Sequence, residues 1–223
     1  MENIVFSEIL DYSASLAGEV LAKLEIPWDI LDNLTEYIRQ LGKQLEKEGW
    51  REILPEVWVG ENVTIAPTAE IHGPCIIGEG SEIRHCAFIR GSALVGADCV
   101  VGNSVELKNV ILFDKVQVPH YNYVGDSILG YRAHMGAGSL TSNVKSDKTL
   151  VVVKAPGEQI PTGLKKFGAI LGDFVEVGCN SVLNPGTVIG PHSNIYPTSC
   201  VRGVVPGNSI WKTGGIIVPK RAD

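Results

Sequence analysis

Aliphatic residues recur every six positions along the middle of the chain. Val59, Ile65, Ile71, Ile77, Ile83, Ile89, Val95, Val101 and Leu107 form an unbroken series. Four residues after each stands Val63, Ala69, Cys75, Ser81, Ala87, Ala93, Cys99, Val105 or Ile111, most of them small. Glycine often follows the first position, as at Gly60, Gly78, Gly96 and Gly102. A helix advances about 100° per residue, so a period of six would spread the apolar residues around its surface and bury no single face. Six is a multiple of the strand period of two, so a small residue and the aliphatic residue two places later share one side of a strand. The pattern excludes a helix and predicts short strands joined by tight bends that glycine permits. Such strands wind into a coil whose stacked turns bury a core no single repeat can supply. With about three strands per turn, rungs lie about 4.8 Å apart and positions eighteen apart stack vertically.

The six-residue pattern returns as Leu171, Val177, Leu183, Ile189, Ile195 and Val201, with Val175, Ser181, Thr187, Ser193, Ser199 and Val205 as the second set. Between the two runs the register slips near Phe113 and again near Leu129. Residues 144–168 break it altogether, which predicts a loop extruded from the coil. Long loops in compact domains are usually functional. Upstream the texture changes: Leu31, Leu34, Ile38, Leu41 and Leu45 stand three and four apart after Pro27 and Asp29, a helix start. A helical hairpin capping the end of the coil is expected, where it would block edge pairing. The chain thus divides into an N-terminal helical segment (1–52), a β-helix (53–210) with the loop 144–168, and a C-terminal tail (211–223).

Composition narrows the function. Nineteen Lys and Arg against 25 Asp and Glu make the chain mildly acidic, which argues against nucleic acid as its main partner. Five cysteines without a CxxC pair suggest neither a disulfide framework nor a zinc ribbon, and read as reduced thiols of a cytoplasmic protein. The N-terminus lacks a basic region followed by an apolar core, and no window approaches eighteen uninterrupted apolar residues, so no membrane association is expected.

Stacking also predicts a charged column. His72, Arg90 and Lys108 each follow an aliphatic position and are eighteen apart, with Glu106 beside Lys108. Two fixed cations about 5 Å apart repel by roughly 1 kcal/mol even at the dielectric of water. The column therefore reads either as a site awaiting an anion such as phosphate or as solvated charges splayed apart.

The stretch FIRGSALVGADCVVGNSVELKN, followed by VPHYNYVGDSILGYRAHMGAGSLTSN, resembles the acetyltransferase domain of the bacterial bifunctional N-acetylglucosamine-1-phosphate uridyltransferase/glucosamine-1-phosphate N-acetyltransferase family. The segment VELKN, then His-x-x-Tyr-x-Gly-Asp, then Gly-Ala-Gly carries the likeness, which covers roughly residues 55 to 210. The resemblance implies an all-β fold, a left-handed parallel β-helix of hexapeptide repeats, assembled as a homotrimer with active sites between subunits. It implies His120 as general base and Glu106 near it, with Arg90, Lys108, Tyr123 and Asn143 holding the sugar phosphate. An amine must lose a proton as it attacks a thioester carbonyl, and an imidazole suits that task.

Several positions depart from the family pattern. His134 stands where the family has an asparagine in the acceptor site, and SNVKSDK replaces the segment leading to a substrate-binding lysine, with Lys145 or Lys148 as replacements. On the coenzyme side Cys179 replaces a serine, Tyr196 falls near a small alanine, and Lys212 stands where an arginine would meet a coenzyme A phosphate. No glycine-rich nucleotide loop occurs in residues 1–55, so this chain is expected to lack the nucleotidyltransferase domain. The reading expected is an acetyl-CoA-dependent N-acetyltransferase acting on an amino sugar phosphate such as glucosamine 1-phosphate, in UDP-N-acetylglucosamine biosynthesis. Two rivals stay open: a noncatalytic sugar-phosphate-binding or assembly protein, and a zinc hydratase, although His85, His120 and His134 lack a persuasive metal-ligand spacing.

Overall fold

The computed structural model describes residues 8–221, so the extreme ends of the segments 1–52 and 211–223 lie outside the described residues. The strands wind into a parallel coil with three faces. The first face runs from Glu70–Ile71 through Phe88–Ile89 and Leu140–Thr141 to Cys200–Val201. The second runs from Val57–Val59 through Cys75–Ile77 and Ala93–Val95 to Val204–Val205. The third runs from Thr64–Ile65 through Val100–Asn103, Gln117–His120 and His134–Met135 to Ser209–Lys212. Inward positions such as Ile77, Ile83, Ile89, Val95, Val101 and Leu107 are fully buried, as the six-residue pattern requires.

Two strands, Glu106–Leu112 and Tyr123–Leu129, run seven residues without a break from the first face into the second. Between Ile89 and Ala93 the corner takes three residues, Arg90, Gly91 and Ser92, but between Leu107 and Val110 it takes only Lys108 and Asn109. Gly125 and Asp126 make the next corner equally short. These shortened corners are where the register slips: Glu106 pairs with Tyr123 and Gln117 with His134, one residue fewer than a full turn. Asn109 and Asp126 turn the corner at φ 56° and 49°, a left-handed conformation that Asn and Asp tolerate.

The second face differs from the others in being apolar on its outside as well. Trp58, Ile76, Leu94, Ile111, Ile128, Ile170 and Val188 are the middle residues of its strands, and all are buried. The helix Ile30–Lys47 covers much of that surface with Leu31, Leu34, Ile38 and Leu45. It therefore lies along the wall rather than closing the end of the coil as a hairpin. Its Gly42 lets the Trp58 ring approach its backbone with no room for a Cβ. Thr35 Oγ1 meets Ser92 Oγ at 2.6 Å, and Asn109 Nδ2 donates to the Leu31 carbonyl at 3.1 Å.

The extruded loop carries its own hairpin, Val152–Ala155 against Glu158–Pro161, which folds down beside the top of the second face with Val151 and Val153 fully buried. Trp28 and Phe167 join the N-terminal segment to this loop, their ring centroids 5.2 Å apart. Where a simple tail was expected, Ile216–Pro219 turns back to pair antiparallel with Ser209–Lys212. At the other end Arg51–Leu54 pairs antiparallel with Val57–Val59. Among the described residues no helix is long and apolar enough to cross a membrane.

Candidate active site

The shortened corner gathers the acceptor-side candidates. Pairing of Ile71, Ile89 and Leu107 stacks His72, Arg90 and Lys108 on successive rungs, as the eighteen-residue spacing requires. The column does not stand open for an anion, however, because each of its side chains meets a carboxylate of the same chain. His72 Nε2 meets Glu70 Oε1 at 2.8 Å, Arg90 Nη1 donates to Glu106 Oε1 at 2.7 Å, and Lys108 Nζ donates to Asp126 at 2.9 Å and 3.2 Å. The Asp126 side chain is only 3% exposed and also accepts from Asn109 Nδ2 at 2.9 Å and from Asn143 Nδ2. Asn143 Nδ2 reaches Tyr123 Oη at 3.1 Å across Gly125, where a side chain would collide with that contact.

The electrostatics follow this geometry. Burial pushes the Tyr123 phenol above its ordinary range, and the neighbouring Asp126 charge adds to the effect. The hydrogen bond to Glu106, and then its charge, raise the Arg90 guanidinium further above neutrality. Asp126 and Asn109 were not among the residues singled out, although Asp126 closes the Tyr-x-Gly-Asp motif and lies eighteen residues beyond Lys108.

His120 ends the strand Gln117–His120 on the third face, opposite Asn103, and is exposed. Its backbone N–H donates to Asn122 Oδ1 at 3.1 Å, while Asn122 is buried and bonded to Gly136 and Ser139. The strand end is thus held while the ring is left without a hydrogen bond or ion pair among the described residues. Tyr123, three residues on, pairs directly with Glu106, so the chain passes from His120 into the Arg90 and Lys108 cluster around one corner. Within the chain, Glu106 binds Arg90 rather than the His120 imidazole expected for it.

The remaining candidates form a second group. His134, Cys179 and Tyr196 line one largely apolar groove of about 540 Å³ on the third face, with Val177, Ile195, Pro197 and Ile210. His134 is therefore separated from the acceptor cluster where the motif comparison had it, because Gln117 and Glu176 are its strand neighbours and its Nδ1 meets Glu176 Oε2 at 2.8 Å. Asn194, missed from the sequence, also lines the groove, and its buried Oδ1 accepts no hydrogen bond. Lys212 follows Trp211, whose carbonyl accepts from the Tyr196 N–H at 2.9 Å, so it lies one rung beyond Tyr196.

Residues 71–205 match the protein family described as the GMPPB C-terminal domain. The chain is 32% identical over 211 residues to the bifunctional protein GlmU of Methanococcus aeolicus, covering 86% of this chain and 47% of that protein. It is 34% identical over 188 residues to a bifunctional sugar-1-phosphate nucleotidylyltransferase/acetyltransferase of Sulfurisphaera tokodaii, covering 73% of this chain and 47% of the relative. The chain thus spans about half the length of these relatives. Among solved structures, a point mutant of AntD, an N-acyltransferase from Bacillus cereus in complex with dTDP and coenzyme A, aligns at 21% identity and a TM-score of 0.41, over 81% of this chain and 89% of that one.

Proposed function

The chain belongs to the hexapeptide-repeat acyltransferase family, with the GMPPB C-terminal domain and the acetyltransferase region of GlmU, and from that premise we propose that it moves an acetyl group from acetyl-CoA to the amine of an amino sugar phosphate such as glucosamine 1-phosphate. The observation that carries this reading is the corner itself, where Arg90, Lys108, Tyr123 and Asn143 gather around Asp126, with His120, whose ring has no partner among the described residues, at the end of the preceding strand.

Coenzyme A supplies a thioester, whose acyl carbon is already activated toward an amine. His120 takes the proton from the acceptor nitrogen as the C–N bond forms, and returns it to the sulfur as the C–S bond breaks. Arg90 gives one N–H to Glu106 and keeps further donors of its guanidinium, 47% exposed, for the acceptor's phosphate. Lys108 adds a second positive charge on the next rung. The groove of Cys179 and Tyr196 suits the coenzyme's arm because its walls are largely apolar. Lys212, one rung beyond, is the candidate partner for a coenzyme phosphate. The acceptor cluster and the coenzyme candidates lie on different faces of one coil, which supports sites completed between the chains of a homotrimer; a cytoplasmic enzyme serving UDP-N-acetylglucosamine synthesis is the setting proposed with it.

A thiol-release assay with acetyl-CoA and glucosamine 1-phosphate tests the reading. His120→Ala is expected to lower turnover by about 10²- to 10⁴-fold, the usual contribution of a positioned base. Tyr196 in the groove and the replaced segment SNVKSDK favour a noncatalytic sugar-phosphate-binding or assembly role instead. Release of no thiol with any amino sugar phosphate decides for that alternative.

A further inference from the structure

A second polar cavity opens where the extruded hairpin meets the coil, about 320 Å³ in volume and lined by Ser142, Lys145, Asp147, Lys154, Asn184 and Arg202 among others. Its floor is the upward continuation of the corner column. Thr141, Leu183 and Val201 pair in register, so the residues after them, Ser142, Asn184 and Arg202, stack above one another. Its roof is the strand Val152–Ala155, held down by the buried Val153 and by close backbone contact at Gly203. Gly203 has φ 82°, and a Cβ there would come within 2.7 Å of the Lys154 carbonyl oxygen. That contact brings Lys154 beside Arg202.

The charges in this cavity differ from those of the corners below it. Arg84, Arg90 and Lys108 each hold a carboxylate within 2.9 Å. Among the described residues Arg202 meets only the neutral Asn184 Oδ1, at 3.3 Å, and Asn184 is itself fixed by donating to the Val201 carbonyl at 2.8 Å. Lys154 has no hydrogen bond or ion pair among the described residues. Lys145 is shared between Thr149, the Leu150 carbonyl and Asp147, the last at 3.4 Å. Three cations thus face one carboxylate in a protein whose net charge is −6. A guanidinium and an ammonium lining one recess, the guanidinium held from below by an amide, match the several oxygens of a phosphoryl group. The volume, roughly ten times the ~30 Å³ share of one water, admits more than a bare ion.

We propose that this cavity binds the phosphoryl group of a small phosphorylated metabolite, through Arg202 and Lys154 with Lys145 at its rim. The site is distinct from the Arg90 and Lys108 corner and does not depend on acetyl transfer.

Calorimetric titration of the full chain with inorganic phosphate and with pyrophosphate at low ionic strength tests it directly. Wild type is expected to bind, pyrophosphate more tightly, and the double variant Lys154→Gln/Arg202→Gln to weaken that binding at least tenfold. Both side chains are exposed, so its melting temperature should match wild type. Arg90→Gln should shift the affinity of this site less than twofold. Absence of phosphate and pyrophosphate binding by wild type overturns the proposal, as does a double variant that keeps wild-type affinity and stoichiometry.

Discussion

Asp126 concentrates much of the physical cost of the candidate site in one side chain. Its carboxylate is buried, bonded to Lys108, Asn109 and Asn143, and carried on a left-handed backbone at φ 49°. Removing one partner of a buried ion pair typically costs 3–5 kcal/mol, and the 28% exposure of the Lys108 side chain reduces that to about 2–3 kcal/mol for Asp126→Ala. Asp126→Asn keeps a residue that tolerates this φ and should lose less, so denaturant unfolding is expected to rank wild type above Asn above Ala. An Ala variant as stable as wild type would mean the corner is not held by this carboxylate. The cysteines separate by the same logic of burial. Desolvation pushes the Cys75 and Cys99 thiols up to about 12, whereas Cys86, Cys179 and Cys200 are exposed. Iodoacetamide at pH 8.5 should therefore modify those three residues in the native protein and all five after unfolding. Because the folded values lie above the ordinary 9.0, the buried thiols' contribution to stability is complete below pH 9 and is lost as pH rises toward about 12. A melting temperature that falls above pH 9 in wild type, and falls less in Cys75→Ala/Cys99→Ala relative to its own value at pH 8, is the expected signature.

Strands were legible wherever the six-residue period ran cleanly, because inward positions such as Ile77, Ile83 and Ile89 must be aliphatic to fill the coil. Corners were less legible. A turn that loses one residue, as at Lys108–Asn109 and Gly125–Asp126, shows only as a slip, which became apparent near Phe113 and Leu129, several residues downstream of its cause. Asp126 went unread for a different reason: it lies eighteen residues beyond Lys108, where plain stacking puts it, but the column was read for its cations alone. The partition of His134 and Asn143 onto different faces was hidden for another reason: linear motif order does not say around which corner a residue falls. The extruded loop contained a readable hairpin, three valines followed by Ala-Pro-Gly and a second polar–apolar run. Its docking rests on Gly203, where any side chain meets both an unfavourable φ and the Lys154 carbonyl. Gly203→Val is expected to cost about 2 kcal/mol or more and to release the hairpin, so that limited proteolysis cuts near Gly157 at its tip while the coil survives. Equal resistance of variant and wild type would show that the hairpin is held by other contacts.

Across the whole molecule, the two excursions from the coil do one job between them. A β-helix of this kind needs an apolar interior, but nothing in its winding demands an apolar exterior, and the first and third faces mostly alternate buried with exposed positions. The second face is apolar on both sides, visible in the triplets Val-Trp-Val, Cys-Ile-Ile, Ala-Leu-Val and Ala-Ile-Leu. Leaving Trp58, Ile76, Leu94 and Ile111 in water would expose a continuous apolar stripe of the kind that drives association. The helix Ile30–Lys47 covers its lower part and the docked hairpin its top, with Trp28 against Phe167 closing the seam. The helix is therefore part of the core rather than an accessory. Ile38, fully buried on the covered face, is the position at which this can be measured. Truncating a buried isoleucine costs about 2–5 kcal/mol, whereas a helix merely resting on a self-sufficient coil would lose far less. Ile38→Ala should lower the unfolding free energy by that amount in a single transition, and Ile38→Asp should in addition make the protein bind ANS and associate. Two separate transitions, with the coil melting as in wild type, would show instead that the coil stands without its cover.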